Sequence, residues 1–220
     1  MRRPDARCEQ DGHGQSDNSR FHNLHNVPVS TEVPIEPRLA ATVMLVRTKR
    51  ADAGIEVFMV RRSARSPFAP DAVVFPGGAL DPGDAGLAAA AVREFEEETG
   101  VRLDPGALVP FSHWVTPPGE GRRYDTHFFL AAALDDHAPV ADEHETHDGR
   151  WLDPRDALRE ERDGTLRLMY PTIKHLERLA AFADLDALLA FARAKPIRTV
   201  APPLSPDAGY VMPADLENAW

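Results

Sequence analysis

A chain of 220 residues with 43% apolar side chains is long enough for one domain of ordinary size with a full core, plus tails. Its formal net charge of −10 argues against a non-specific nucleic-acid or anionic-membrane surface, since both need clustered Lys and Arg; a small anionic substrate stays open, because a local metal overrides global charge. A single cysteine, Cys8, excludes an intramolecular disulfide and a cysteine-based zinc site, and it fits a reducing, cytoplasmic setting.

Residues 1–37 are polar, rich in Asn, Ser, His and Pro, and without hydrophobic period. They are expected to form a disordered or loosely draped tail, with His13, His22 and His25 solvated in it. The basic start has no apolar stretch behind it, so it does not read as a secretory signal, and no apolar run approaches a membrane span. Ordered structure is expected from Leu39. The run Ala40 to Arg47 is apolar and rich in β-branched residues, as in a buried strand, and Ile55 to Arg62 reads as its neighbour across a charged turn. A proline-bearing loop follows at Ser66 to Asp71, then a brief strand at Val73 to Phe75 that runs into Pro76-Gly77-Gly78. The two glycines permit a close backbone approach that side chains would block.

Asp81-Pro82-Gly83-Asp84 reads as a turn, with Asp84 or Asp81 as the N-cap of a helix from Leu87 to Thr99. That helix carries an apolar stripe at Leu87, Ala91 and Phe95, and Gly100 is its expected stop. Strands are expected at Leu108 to Val115 and at Tyr124 to Ala133. An acidic connection, Asp135 to Asp148, leads to a short strand Arg150-Trp151-Leu152. Asp153 caps a helix that begins at Pro154 and runs to about Arg162. Further helices are expected at Thr172 to Phe182 and Leu185 to Ala194. Beyond residue 195, Pro202, Pro203, Pro206 and Pro213 argue against regular structure, although Tyr210, Val211, Met212 and Trp220 suit a tail draped over the domain. Strands with a central helix and later helices indicate one layered α/β domain.

The chemistry concentrates in Arg93-Glu94-Phe95-Glu96-Glu97-Glu98-Thr99-Gly100-Val101. Positions i, i+3 and i+4 share one face of a helix, so Glu94, Glu97 and Glu98 converge and repel one another. A divalent cation turns that repulsion into binding, because Mg²⁺ and Mn²⁺ take hard carboxylate oxygens. Arg93, a fixed cation, is suited to holding a Glu carboxylate in place by charge-assisted hydrogen bonds; the plainer reading is an i,i+3 or i,i+4 ion pair with Glu96 or Glu97. His144-Glu145-Thr146-His147 is one residue too short for a zinc-protease motif. Neither a P-loop nor a G-x-S-x-G elbow is present.

Gly78, Arg93, Glu94, Phe95, Glu97, Glu98, Gly100 and Val101 together resemble the Nudix box, G-x5-E-x7-R-E-U-x-E-E-x-G-U with U a bulky apolar residue. The sequence departs from the box at its first acid. Asp84 follows Gly78 at the box spacing, but one extra residue separates it from Arg93. The resemblance implies an α/β fold of the Nudix type: an α/β/α sandwich with a mixed sheet and a catalytic strand-loop-helix, over residues 38–195, followed by a Pro-rich tail at 196–220. It implies a metal-dependent hydrolase that cleaves the diphosphate bond of a nucleoside diphosphate conjugate by water attack, with Mg²⁺ or Mn²⁺ held by Glu94, Glu97, Glu98 and Asp84. Arg93 and the box glutamates Glu94 and Glu97 are then catalytic. The general base is a box Glu or a carboxylate from a later loop, for which Glu143 and Glu145 are the candidates.

Arg62, Ser63 and Phe75 to Gly78 match part of the signature R-[SA]-x3-R-x3-G-x3-F-P-G-G of coenzyme A diphosphatases in that family. Pro67 and Asp71 stand where that signature has Arg and Gly. Pro171-Thr172 and Leu176 extend the similarity toward the acyl-CoA branch. The resemblance therefore favours CoA or acyl-CoA as substrate, bound in part by Arg62, Gly77 and Gly78, with no nucleic-acid or membrane partner and with room for a homodimer. ADP-ribose, an ADP-sugar or a dinucleotide is the alternative substrate, and a non-catalytic nucleotide sensor of the same fold is the alternative function.

Overall fold

Strands buried on both faces set the architecture. The computed structural model describes residues 35–49, 53–135, 137–207, 209–217 and 219–220, so the readings made for residues 1–34, including Cys8, His13, His22 and His25, lie outside the described residues. In β1 (Arg38–Thr48), Ala41, Val43 and Leu45 point to one face and Met44 and Val46 to the other. β2 (Ile55–Arg62) repeats the pattern, with Phe58 and Val60 on the first face and Ile55, Val57 and Met59 on the second. A sheet apolar on both sides must be covered on both sides. The first face is covered by α1 (Leu87–Thr99), through Ala90, Ala91 and Phe95. The second is covered by α2 (Pro154–Arg162), α3 (Tyr170–Leu179) and α4 (Leu185–Ala194), through Ala157, Leu176, Leu179, Leu188 and Ala192. The result is the expected three-layered α/β/α sandwich.

The sheet is mixed. β3 (Val73–Val74), β2, β1, β6 (Tyr124–Ala132), β5 (Val109–Val115) and β8 (Thr199–Val200) lie side by side in that order. β4 (Gly77–Ala79) pairs with β1, and β7 (Thr146–Leu152) with β2. β1 runs antiparallel to β2 and β4 but parallel to β6. The β5–β6 register shifts between Pro110 and Ser112, where proline lacks a ladder donor.

Several expectations are corrected. Neither Asp81 nor Asp84 caps α1: the N-cap is Gly86, at φ 129°, with no side-chain bond to the helix, because the Asp84 carboxylate is drawn to Arg93 instead. Pro76-Gly77-Gly78 is more than a glycine loop, since Gly77 and Gly78 continue into β4. The strand at Arg150 begins earlier, at Thr146, where the Asp142 side chain receives the Thr146 N–H. The prolines past residue 195 do not stop short pairing. Thr199 and Val200 lie parallel to His113 and Trp114, and β9 (Leu204–Ser205) forms a hairpin with β10 (Gly209–Tyr210). Apolar burial outweighs the missing donors, with Val200, Met212, Leu216 and Trp220 all in the core of the second face.

At the centre of that core stands His175 of α3, wholly buried among the rings of Phe75, Phe111, Trp114, Phe128 and Trp220. Its Nδ1 lies 2.6 Å from the Pro171 carbonyl, which only accepts. Nδ1 therefore carries the proton, and Nε2 accepts from the Ser112 hydroxyl at 2.6 Å. Among the described residues no helix is long and apolar enough to cross a membrane.

Candidate active site

Two glycines bring the acidic helix against the sheet. β4 pairs with β1 through Ala40–Ala79, Ala41–Gly78 and Thr42–Gly77. At Gly77, φ is 153° and a Cβ would stand 2.4 Å from the Ala41 carbonyl oxygen. At Gly78 a Cβ would stand 2.3 Å from the Glu94 carboxyl carbon. At Gly77 the close neighbour is the β1 backbone, which leaves no room for a side chain, whereas at Gly78 a side chain would have to displace the Glu94 carboxylate. Gly77 N–H donates to Glu98 Oε2 at 2.9 Å, which orients that carboxylate.

Arg93 ties the loop before α1 to the acidic face. Its Nε donates to Asp84 Oδ1 and its Nη2 to Asp84 Oδ2, each at 3.0 Å, while Nη2 also reaches the Ala79 carbonyl at 3.1 Å. Its Nη1 donates to Glu94 Oε1 and to Glu97 Oε2, both at 3.0 Å. The positioning contact with Glu94 and the i,i+4 ion pair with Glu97 therefore coexist, whereas Glu96 pairs with Arg102. The guanidinium holds Asp84 below the usual carboxylate range, helped by the Asp81 N–H, and Asp84 in turn raises the pKa of Arg93. Both Asp84 oxygens are thus committed to Arg93.

A cleft of about 380 Å³ opens beside this helix. Glu94, Glu98, Glu145, Arg62, Gly77 and Gly78 line it. Glu97, Glu143 and Asp84 do not. The Glu97 side chain is 59% exposed at the outer end of Arg93, and Glu143 is an exposed turn residue at φ 63°. Burial raises the pKa of Glu94; Arg93 opposes the rise, and the charges of Glu97 and Glu145 add to it. Glu98 is only 6% exposed, and burial pushes it up to about 8 against the Gly77 N–H, with Glu94 and Asp142 adding and Arg62 opposing. Carboxylates that raise one another's proton affinity are a donor set that a divalent cation satisfies, and their hard oxygens suit Mg²⁺ or Mn²⁺. Arg62 is fixed by hydrogen bonds to Ser66 Oγ at 2.8 Å and to the Phe68 carbonyl at 3.1 Å.

Sequence reasoning missed Asp142. Its carboxylate accepts from the backbone N–H groups of His144, Glu145 and Thr146 and from the Thr146 hydroxyl. Burial raises its pKa, but these bonds prevail and keep it low. This turn places Glu145 on the cleft, and the Glu145 carbonyl accepts from Ser63 N–H at 2.9 Å. The signal was a short Asp followed by an N–H-rich turn, the pattern of an Asx turn. The aromatic walls were also missed: Phe68 lies against Tyr124 at 5.3 Å, Trp114 against Tyr170 at 6.2 Å, and Tyr170 stacks on Tyr210 at 5.6 Å. They come from distant parts of the chain, and only the fold assembles them.

A model of the NUDIX domain matches residues 36–173. A Caenorhabditis elegans protein described as nudix hydrolase 7 is 26% identical over 209 residues, covering 74% of this chain and 69% of its own. Among solved structures, a NUDIX hydrolase from Alicyclobacillus acidocaldarius is 26% identical at a TM-score of 0.63, over 70% of this chain and 96% of that one. The NUDIX domain of Shewanella oneidensis NrtR, solved with ADP ribose, shares the fold at a TM-score of 0.52 and 18% identity, over 65% of this chain and 86% of that one.

Proposed function

The chain belongs to the NUDIX domain family and is a hydrolase of pyrophosphate bonds, and from that premise we propose that its substrate is a nucleoside diphosphate conjugate of the CoA or acyl-CoA type. The observation that carries the reading is the cleft itself, which joins buried, mutually repelling carboxylates to aromatic walls. A diphosphate needs the first, through a cation, and a nucleobase the second, by stacking. Arg62 and the Phe75 to Gly78 segment, which carry the resemblance to CoA diphosphatases, belong to this same cleft and not to a remote surface.

Glu94 and Glu98, with Glu97 at the rim, are the residues that would hold Mg²⁺ or Mn²⁺. Such an ion neutralises diphosphate charge and lowers the pKa of a bound water. Arg93 keeps the Glu94 carboxylate turned toward the cleft. Arg62, a fixed cation beside Glu98, meets a phosphate oxygen. Glu145 takes the proton of the attacking water. It is better placed than Glu143, because it lines the cleft and its charge reaches Glu94. Asp84 acts through Arg93 and not as a ligand.

Incubation with Mg²⁺ or Mn²⁺ and a panel of CoA, acyl-CoA, ADP-ribose and dinucleotides tests the assignment. The expected result is release of adenosine bisphosphate and a phosphopantetheine from CoA or its acyl form, at a higher kcat/KM than any other release. Preferred cleavage of ADP-ribose would replace the CoA reading. Nucleotide binding without any release would replace catalysis by sensing.

A further inference from the structure

The face of β5 and β6 turned away from the aromatic core carries a second group of metal-ligand side chains. His113 and His127 are directly opposed across the strands, and Asp125 precedes His127 by one pleat on the same side. None of the three lines the cleft. Each is partly buried, with 18%, 28% and 30% of the His113, Asp125 and His127 side chains exposed, so solvent and ions reach the group. One ligand atom from each lies within 4.8 Å of the others.

The hydrogen bonds engage His113 and Asp125 but not the His127 ring. His113 Nε2 contacts Asp125 Oδ1, and His113 Nδ1 lies 2.9 Å from Thr199 Oγ1. His127 Nε2 faces the same Asp125 oxygen at 3.8 Å, too far for a hydrogen bond, and its ring makes none among the described residues. The two imidazoles stack at 4.1 Å, inclined by only 15°. With the Thr199 hydroxyl donating to Nδ1, His113 donates Nε2–H to the Asp125 carboxylate; with the tautomer reversed, Nδ1–H is donated to Thr199 and the Nε2 lone pair is turned on the same carboxylate oxygen, free for a cation. A cation at their focus takes the place of the proton between His113 and Asp125 and gives the idle His127 nitrogen a partner.

We propose that His113, Asp125 and His127 form a binding site for a zinc-class divalent cation, separate from the glutamate cleft. Two imidazoles and one carboxylate are a donor set for Zn²⁺, Co²⁺ or Ni²⁺ and not for Mg²⁺. Ligand atoms around a tetrahedral ion stand about 2.0–2.2 Å from it, so binding would open the His113–Asp125 contact and turn the stacked His127 ring toward the ion. Thr199 is the outer partner that fixes the His113 tautomer, as ligating histidines require. Because Thr199 belongs to β8, the ion would link the β5–β6 pair to the segment after α4, and its role is structural.

The full chain, stripped with chelator, is titrated with Zn²⁺ by calorimetry, and its Tm is measured with and without the ion. To separate this site from any other imidazole or carboxylate that binds Zn²⁺, the wild type is compared with H127Q and D125N, each checked for folding by circular dichroism. The expected result is a wild-type site at least about tenfold tighter than in either variant, with a Zn²⁺-induced rise in Tm that both variants lose. Cobalt(II) should give the intense absorption of a four-coordinate site in the wild type alone. A folded H127Q that binds Zn²⁺ as tightly as the wild type, with the same gain in Tm, overturns the proposal, whether or not D125N folds.

Discussion

Glu98 bears the heaviest electrostatic load in the cleft. Its carboxylate is buried, faces Glu94 and Asp142, and has only the Gly77 N–H and the Arg62 charge to offset them. Glu98→Gln keeps the shape and leaves an amide oxygen to accept from Gly77. Activity in saturating Mg²⁺ should fall by about 100-fold or more, as expected when a ligand to a catalytic ion is lost. Thermal stability without metal should hold at neutral pH, because a side chain pushed up to about 8 is mostly protonated there and glutamine matches its neutral form. A Glu98→Gln variant with near wild-type turnover would sink the metal assignment. Arg93→Lys tests the other side of the helix. One ammonium cannot reproduce a fork that bonds Asp84 with two nitrogens while a third nitrogen reaches Glu94 and Glu97. We expect kcat to drop by about 10–100-fold and the Mg²⁺ requirement to rise, read from a metal titration of the rate.

Within single elements, α3 offers the clearest handle. His175 is driven down to about 3 by burial, with the nearby Lys195 and Arg178 charges working in the same direction and the Pro171 carbonyl opposing. An unfolded histidine titrates near 6.5. Between those values the unfolded chain binds a proton that the native chain refuses, so this contribution to stability is complete above 6.5 and declines as pH falls. The slope from this one residue approaches roughly 1.4 kcal/mol per pH unit. Urea midpoints measured from about pH 7 to about pH 5 should therefore fall more steeply in the wild type than in His175→Gln. Elements with strong period were plain in the sequence. α1 runs from Leu87 to Thr99 as read, and Gly100 ends it at φ 71°. Its start was misread because capping propensity knows nothing of Arg93, which outcompetes the helix N–H groups for Asp84. β4 was hidden because glycine carries no pattern; its strand character comes from β1 alone.

At the scale of the molecule, the residues after α4 complete both the core and the cleft. Trp220 is 3% exposed, packs edge-on against Phe111 and Trp114, and lies under the Arg178 guanidinium at 5.0 Å. Trp220→Ala should cost about 3–5 kcal/mol in chemical denaturation, the range for a large buried aromatic. Tyr210 stacks on Tyr170 and donates to Glu120 across the cleft. Its replacement by Ala should raise KM more than it lowers kcat, since a wall and not a reacting group is lost. The acidic half of the site was legible, because Glu94 and Glu98 sit one helical turn apart. The aromatic half was not, because Phe68, Trp114, Tyr170 and Tyr210 share no local period and meet only through long-range packing. One feature of the sheet governs when that meeting happens. β1 must wait for β6, a parallel partner that lies beyond α1 and β5 in the chain, and such non-local closure is slow. The floor of the cleft is β1 with its β4 glycines, so a refolding chain should gather its helices early, expose its aromatic residues to aggregation meanwhile, and acquire catalysis only as the central strands join.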